Sequence, residues 1–430
     1  MKKGKIIYRA LFALMLSLIP SMSKAYDFEV DSCYYTLIST SEKTVRFDGT
    51  SISGNLIIPE KIVFLNRELY VTEIKEHALN KNNAIISIVI KGKIKEIPKK
   101  CFEECTFQRV LLPSSLEEIS AYAFYNCSQL EEIIIPDKVK SIGEKSFYGC
   151  TSMKKIILPR SEKCIIGHDA FTGTKPKGKL TIPYRIFFSE RLDDLAYYES
   201  FGRYFFYNEK SKRTEYYDTC SKVDSLVIED GLDVGDSIGI YYNEFSKGEY
   251  YEDNYIYNKP FEYVYIGRRP VSGPYNPRIG AKTMVFGDCI YTDIVQSNYP
   301  SLASVEKVVF GKNMKYISRC GGTKLETIYV RSKTPPTAEG FSSHTYIYGT
   351  VYVPRGTLKA YQEADVWKEF WNIEEYDVTD DPTAIETVKT SANDEIIGIY
   401  DINGIKHTSP VKGLNIYKYK DGRVIKRIMK

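Results

Sequence analysis

Apolar positions repeat every 22 to 24 residues between Ile85 and Thr174. Each period begins with a run of aliphatic residues, closed by a proline in three of the four periods, and places an isoleucine five residues before a phenylalanine. The phenylalanines are Phe102, Phe124, Phe147 and Phe171, and a cysteine follows three residues after each of the first three, at Cys105, Cys127 and Cys150. A period of this length predicts a solenoid, because one unit cannot bury its own apolar face and must stack on its neighbours.

The aliphatic runs are expected to form strands with an inner and an outer face. Within one period, Leu130, Ile133 and Ile135 occupy the inward positions of an L-x-x-L-x-L pattern. Side chains alternate along a strand, so the residues between them must face outward. This alternation predicts an outer aliphatic column made of Val89, Leu111, Ile134 and Ile157. Such a column is either a docking surface or is covered by another part of the chain.

A second outward column carries polar and charged residues, namely Ser87, Arg109, Glu132 and Lys155. Its charges alternate in sign, and neighbouring strands lie roughly 4.8 Å apart. Arg109 with Glu132, and Glu132 with Lys155, can therefore form ion pairs of about a few tenths of a kcal/mol each. These three residues and the aliphatic column form the candidate binding surface.

One period, Leu130 to Cys150, reads LEEIIIPDKVKSIGEKSFYGC and resembles the BspA-like leucine-rich repeat of bacterial surface proteins. The resemblance is close over residues 56–183 and loose over residues 222–375. It implies a mainly β solenoid whose role is adhesion, or interaction with proteins of a host or of other bacteria.

Six regions are expected along the chain. They are 1–25 as a signal peptide, 26–55 as an N-terminal β cap, 56–186 as regular repeats, 187–376 as degenerate repeats with insertions and a C-terminal cap, 377–383 as a linker, and 384–430 as a small β-sandwich-like tail. Alternating residues predict a hairpin in the cap, which would cover the open end of the solenoid. The first repeat is stretched, running from Leu56 to Leu79.

The region after residue 186 is rich in tyrosine, since half of the 36 tyrosines lie between positions 184 and 300. Strand-like runs persist at 226–228, 264–266, 283–286, 308–310 and 328–330, and we interpret them as further turns with inserted loops. The block from Gly349 to Tyr376 resembles the strand and helix that close the repeat domain of the family. Its helix is predicted over Leu358–Phe370, with Leu358, Tyr361, Ala364 and Trp367 on one face.

Residues 1–25 have the composition of a cleavable signal peptide, with a basic start, an apolar stretch from Ala10 to Pro20 and small residues at Ser23 and Ala25. The apolar stretch is shorter than the roughly 20 residues that span a bilayer. Export to the cell surface or the extracellular space is therefore expected, with the periplasm as the alternative. No transmembrane anchor is expected.

The charge balance argues against nucleic-acid binding. Removal of residues 1–25 takes away five basic residues and no acidic ones, which changes the formal net charge from +4 to −1. A nucleic-acid-binding protein normally carries a basic surface. Positive charge is concentrated at the end of the chain, where residues 401–430 hold eight basic and two acidic side chains. This tail resembles the C-terminal sorting tails of type IX secretion cargo in Bacteroidota; the alternative is a small β-sandwich without a sorting role.

Nine cysteines in an exported protein would first suggest disulfides. Cys105, Cys127 and Cys150 occupy the same place in successive repeats, however, and we expect them to stack as a ladder of small buried residues. An odd total leaves at least one cysteine without a disulfide. The pairing of Cys33, Cys220, Cys289 and Cys320 stays open.

Catalytic motifs are missing from the sequence, which contains no GxGxxG, P-loop or HExxH pattern. The four histidines lie far apart, and Cys164 with His168 would lack a third group to orient a thiol nucleophile. We therefore expect a non-catalytic interaction module with no cofactor and no bound metal. Its partner is a protein bound through the strand face and the tyrosine-bearing loops or, as the alternative, a surface glycan, which the same loops would also suit. An enzyme with a site in the 187–300 insertion is a third interpretation.

Overall fold

The structure of the chain is a computed structural model that describes residues 26–160, 162–188, 201, 203–208, 213–231, 237–239, 250–251, 254–255, 260–271, 280–290, 304–317, 320, 323–377, 396–400, 406–407, 413–419 and 424–429. It divides into two compact units, Met1–Glu374 and Glu375–Lys430. The predicted signal peptide and most of the predicted linker lie outside the described residues.

The first unit begins with a five-stranded sheet in the order β1-β2-β3-β6-β5. Its strands, together with the first strand of the solenoid, are β1 (Phe28–Val30), β2 (Cys33–Ser39), β3 (Thr44–Thr50), β4 (Gly54–Ile58), β5 (Lys61–Phe64) and β6 (Arg67–Ile74). The antiparallel pairing of β2 with β3 confirms the predicted hairpin. A second hairpin, β5 with β6, extends the sheet beyond residue 55 and accounts for the stretched first repeat.

The regular turns each contribute one strand to each of two sides of the solenoid, and the paired strands of each side are parallel. Their strands are β7 (Ile85–Ile90), β8 (Glu96–Ile97), β9 (Arg109–Leu111), β10 (Glu118–Ile119), β11 (Glu132–Ile134), β12 (Ser141–Ile142), β13 (Lys155–Ile157), β14 (Cys164–Ile166), β15 (Gly178–Ile182) and β16 (Ile186–Phe188). The odd-numbered strands, preceded by β4, lie along one side of the solenoid, which we call the strand face. The even-numbered strands form a five-stranded sheet along a second side.

The third side of each turn contains no strand, yet its backbone is bonded from turn to turn. The amide of Phe102 donates to the carbonyl of Ala123 at 2.8 Å, and the amide of Phe124 donates to that of Ser146 at 2.7 Å. Lys100 and Tyr122, at equivalent places just before, adopt left-handed φ values of 56° and 59°. Left-handed backbone is unfavourable for such residues, so the bonds to the next turn offset its cost.

The core confirms the predicted phenylalanine register. Ring centroids of Phe102 and Phe124 are 5.0 Å apart, those of Phe124 and Phe147 4.9 Å, and those of Phe147 and Phe171 5.1 Å. The stack continues across the insertion to Phe201, whose ring lies 5.0 Å from that of Phe171. Successive turns therefore share one interior, as a solenoid requires.

The cysteine ladder is also confirmed. The thiols of Cys105, Cys127 and Cys150 are buried and donate to backbone carbonyls of the preceding turns, at 2.8, 2.9 and 3.2 Å. No disulfide is formed by the nine cysteines, all of which lie within the described residues. Each ladder thiol thus satisfies a carbonyl inside the solenoid, where an unbonded polar group would be costly.

The later turns keep the strand face. Their elements are β17 (Arg203–Asn208), β18 (Arg213–Asp218), β19 (Val223–Ile228), β20 (Ser237–Gly239), β21 (Tyr250–Tyr251), β22 (Asn254–Tyr255), β23 (Phe261–Ile266), β24 (Arg269–Val271), β25 (Ala281–Phe286), β26 (Lys307–Phe310), β27 (Tyr316–Ile317), β28 (Thr327–Val330), β29 (Thr337–Ala338), α1 (Ser343–Tyr348), β30 (Thr350–Pro354), α2 (Leu358–Glu363) and β31 (Asn372–Tyr376). One eight-stranded sheet has the order β15-β19-β23-β25-β26-β28-β30-β31, which contains all five predicted strand-like runs.

The closing helix is shorter than predicted. It ends at Glu363, and a separate 3-10 turn follows over Trp367–Glu369. Tyr361 and Trp367 are both buried, and they donate to the carbonyls of Ser332 and Pro336 at 2.8 and 2.7 Å. Residues six apart on a continuous helix point about 120° away from each other. The break lets both side chains face the preceding turn. Neither helix described is long and apolar enough to cross a membrane.

The second unit contains a four-stranded antiparallel sheet in the order β33-β32-β34-β35. Its strands are β32 (Ile396–Tyr400), β33 (Lys406–His407), β34 (Gly413–Tyr419) and β35 (Val424–Met429). The described part of the tail is therefore one sheet, and its predicted second layer stays a prediction.

Candidate binding surface

The predicted outer aliphatic column lies on the outer side of the strand face. Val89 is in register with Leu111, and Ile134 with Ile157, while the amide of Glu131 bonds the carbonyl of Gln108 and joins the two pairs of turns. The exposed fractions of Leu111, Ile134 and Ile157 are 59%, 49% and 39%, and Val89 is half-buried. Four aliphatic side chains in line on an outer surface form an apolar patch of the kind that marks interaction sites.

Ile57 is an addition to this column. It is in register with Val89 on β4 and is 51% exposed. The run Leu56-Ile57-Ile58-Pro59 has the same pattern as the later strands, so the sequence alone could have placed Ile57 there. From here on, the outer aliphatic column means Ile57, Val89, Leu111, Ile134 and Ile157.

The polar column lies beside it with the predicted register. Nζ of Lys155 is 3.6 Å from Oε2 of Glu132, which gives one of the two predicted ion pairs. Arg109 is exposed and makes no ion pair within 4.0 Å among the residues that the structure describes. Ser87 donates to Oδ1 of Asn55 at 2.7 Å, which extends the column by one turn.

The same outward position is covered in the later turns. Val285 and Val309, in register with each other on β25 and β26, are both 0% exposed. Tyr265 precedes them in the column and Tyr329 follows them. The valines lie outside the main core cluster, so they are buried on the outer side of the sheet. The later turns therefore leave no aliphatic column open at this position.

A partly buried polar pair, Asp230 and Tyr265, involves the residue that precedes the two valines in the column. The hydroxyl of Tyr265 donates to Oδ2 of Asp230 at 2.6 Å. Burial raises the pKa of both groups, because a low-dielectric environment disfavours the charged form. For Asp230 the hydrogen bond from Tyr265 opposes this rise in pKa, and the nearby Asp288 adds to it.

Two of the cavities in the described part of the solenoid lie between segments of successive turns. The larger, of about 600 Å³, is walled by the loops 312–315 and 332–337, where Lys312 is 3.4 Å from Asp288. The smaller, of about 310 Å³, opens on the strand face between β13 and β15 and includes Ile157 of the outer aliphatic column. The smaller cavity is thus continuous with the candidate surface.

The Cys164 and His168 pair does not have the properties of a catalytic dyad. Cys164 is fully buried, and burial raises the pKa of its thiol to about 12. A reactive cysteine needs a lowered pKa and access to substrate. Within the described ranges, no group of three or more His, Cys, Asp or Glu residues is arranged to hold a metal ion.

Comparison with solved structures finds similarity to several bacterial proteins. A leucine rich cell surface protein from Faecalibacterium prausnitzii is 15% identical, with 83% of this chain and 96% of that chain covered and a TM-score of 0.36. The pneumococcal vaccine antigen PcpA is 17% identical, covering 82% and 98%, with a TM-score of 0.38. A leucine-rich repeat protein from Bacteroides ovatus is 19% identical, covering 82% and 100%, with a TM-score of 0.31.

No curated protein matches the chain. Among family models, the BspA type leucine rich repeat region matches residues 72–208 in six copies. Residues 72–208 therefore match BspA-type leucine-rich repeats, and the chain is a mainly β protein built on a solenoid of about 11 turns.

Proposed function

We propose that this chain is an exported, non-catalytic protein-interaction module that binds a surface protein of a host or of other bacteria. The observation that carries the proposal is the outer aliphatic column, with side chains up to 59% exposed in register on one rigid face. Exposed apolar rows of this kind are costly in water unless a partner covers them. The polar residues Arg109, Glu132 and Lys155 beside the column would set the register of that partner.

The surface is tested by paired aspartate substitutions. The labelled chain from residue 26 onward is applied to host cells and to bacterial cells, each with and without prior protease treatment. Binding that disappears after protease treatment supports a protein partner. The variant Leu111→Asp with Ile134→Asp should lose this binding, because both charges would have to be buried against the partner.

The matched control is Val63→Asp. Val63 is also 59% exposed, but it lies on β5, in a different sheet from the strands of the column. It should bind like the wild type. All three proteins should unfold at nearly the same temperature. Unchanged binding of the double variant would reject the surface, and early unfolding would mean that these side chains belong to the core.

Glycan binding is the second candidate. It is favoured by the rings of Tyr329 and Tyr352, which stack with centroids 4.6 Å apart and are only half-buried on the strand face. Flat aromatic faces suit sugar rings as well as protein side chains. Binding to a glycan array by the wild type, with loss on Tyr352→Ala, would support this candidate over the first.

Export and surface display complete the proposal. The basic and apolar pattern of residues 1–25 supports export, and the four-stranded antiparallel sheet at the end of the chain supports a separate sorting tail. Deletion of residues 384–430 should leave the chain exported across the inner membrane but absent from the cell surface, as measured by surface labelling. Unchanged surface labelling would reject the sorting role.

A further inference from the structure

The pairing of strands along the strand face is interrupted between β9 and β11 and again between β13 and β15. β13 is the last strand of the two-stranded sheet β11-β13, and β15 is the first strand of the eight-stranded sheet. The amide of Lys177 donates to the carbonyl of Lys154 at 3.1 Å, which holds the two turns together just before the strands begin. Beyond that bond the strands are not paired with each other, and a groove of about 310 Å³ lies between them.

The floor of this groove is apolar. Ile156, Ile157, Leu158 and Leu180 line it, and Ile157 is 39% exposed. Because Ile157 is also the last member of the outer aliphatic column, the groove continues the proposed binding surface. A partner lying along the column would reach the groove without leaving the strand face.

The rim of the groove is strongly basic, with Lys154, Lys155, Arg160, Lys177 and Lys179 around it. Lys155 is paired with Glu132 at 3.6 Å, and Arg160 with Glu229 at 2.8 Å. Lys154, Lys177 and Lys179 are exposed and have no acidic partner within 4.0 Å among the residues that the structure describes. Three uncompensated cations therefore surround an apolar floor.

In neighbouring turns, lysine side chains have an acidic partner. Glu117 is shared by Lys95 at 3.3 Å and Lys140 at 3.4 Å, and both lysines lower the pKa of its carboxyl group. The attraction of two lysines to an acidic side chain between them offsets the repulsion between the two lysines. The concentration of unpaired lysines at the sheet interruption thus points to a negatively charged ligand.

We propose that this groove binds an extended acidic segment of the protein partner. The segment would place carboxylates near Lys154, Lys177 and Lys179 and an apolar side chain on Ile157, which is the exposed apolar residue of the groove. The inference rests on the proposed function and names the chemistry of its partner. An extended peptide can also offer its backbone to the strand edges that border the groove, as in other strand-addition complexes. A sulfated glycan would satisfy the lysines but would leave the apolar floor without a contact.

The test measures binding of fluorescent peptides to the full chain by anisotropy. The probe is an extended peptide of about six residues, the length of a typical strand, that alternates glutamate with valine. Two control peptides replace glutamate by glutamine or valine by serine, and heparin serves as the competing polyanion. Lys177→Glu with Lys179→Glu should weaken probe binding by about tenfold or more, because two attractive contacts become repulsive.

The matched control protein is Lys99→Glu with Lys138→Glu, which changes the net charge equally at exposed positions that do not line the groove. It should bind the probe like the wild type. Equal loss in both proteins would overturn the proposal in favour of a nonspecific charge effect. Undiminished binding of the glutamine or serine control peptide, tighter binding of heparin, or no binding of the probe would overturn it as well.

The proposal for the groove can be rejected while the proposal for the outer aliphatic column is kept. In the cell-binding assay, loss with the Leu111 and Ile134 double variant but not with the Lys177 and Lys179 double variant would keep the interaction module and reject the acidic ligand. Loss with neither variant would reject both proposals.

Discussion

The outward position of the strand is open in the early turns and covered in the later ones. Leu111 and Ile134 are 59% and 49% exposed, whereas Val285 and Val309 are 0% exposed at the equivalent place. In both regions the apolar residues on either side of the outward residue pack in the core, as Ile133 and Ile135 do around Ile134 and Val308 and Phe310 do around Val309. The repeat alone therefore fixes which side of the sheet a residue faces, but not whether that side is bare.

The corner after the strand also differs between the two regions. The early turns end their strands with Pro113, Pro136 and Pro159, and the later ones with Gly267, Gly287 and Gly311. A Cβ on Gly311 would lie 2.3 Å from the carbonyl oxygen of Gly287, so successive backbones pass in direct contact there. The early corners are stiffened by proline, and the later corners are packed by the absence of side chains.

The largest effect is expected from charging the covered column. Val309→Asp should lower the free energy of unfolding by about 3–5 kcal/mol, since it buries a charge without a partner. Ile134→Asp, the same change at the open position, should alter it by less than about 0.5 kcal/mol. Urea unfolding followed by circular dichroism measures both. Equal losses of stability for the two variants would mean that the outward position is equally buried in the early and the later turns.

The next largest loss of stability is expected at the junction between the early and the later turns. The guanidinium of Arg268 is buried and donates to the carbonyls of Pro183, Tyr184 and Ile186 from the early turns, at 2.9, 2.7 and 3.0 Å, and to that of Glu229 from the later ones at 3.2 Å. Arg268→Met should cost about 2–4 kcal/mol, because several bonds to a charged donor are lost together.

Arg185→Met is the control for this junction, because Arg185 is half-buried and bonds only the hydroxyl of Tyr184 among the hydrogen bonds of the described residues. Its loss should stay below about 1 kcal/mol. Since solenoid turns are coupled only to their neighbours, Arg268→Met should also broaden the unfolding transition. A sharp transition with unchanged midpoint would show that the junction is held by other contacts.

A smaller effect is expected at the corners. Gly311→Ala should destabilise the chain by about 1–3 kcal/mol, because the new methyl group would meet backbone atoms that cannot move aside. Pro136→Ala in an early corner should cost about 0.4–1 kcal/mol, by making the unfolded chain more flexible. The same unfolding measurement ranks the two, and a larger loss at Pro136 would contradict the difference in packing.

The sequence predicts the interior of this protein better than its surface. Phe124 and Cys127 could be placed in the core because buried positions recur with the period of the chain. The burial of the outward-facing Val309 could not be predicted from the repeat. Nor could the role of Arg268, because its carbonyl partners lie 39 to 85 residues away in sequence. The break in the closing helix could not be predicted either, because it depends on the hydrogen bonds that Tyr361 and Trp367 donate to carbonyls of the preceding turn.

The smallest expected effect is a pH dependence of stability that comes from Asp230 in the later turns. Burial raises the pKa of Asp230, so the folded state holds the proton more tightly than the unfolded state, where Asp titrates near about 3.9. The stability that this group contributes is fully present below that value and is lost as the pH rises through the folded pKa. Asp230→Asn cannot ionise, and its stability relative to the wild type should therefore increase between about pH 4 and pH 7. Asp224→Asn, at an exposed position of β19, is the control for urea unfolding at the two pH values. A relative stability that falls over this range would mean that the Asp230 carboxylate, bonded by Tyr265, is favoured by the fold, and that the later turns tolerate charge on their covered face.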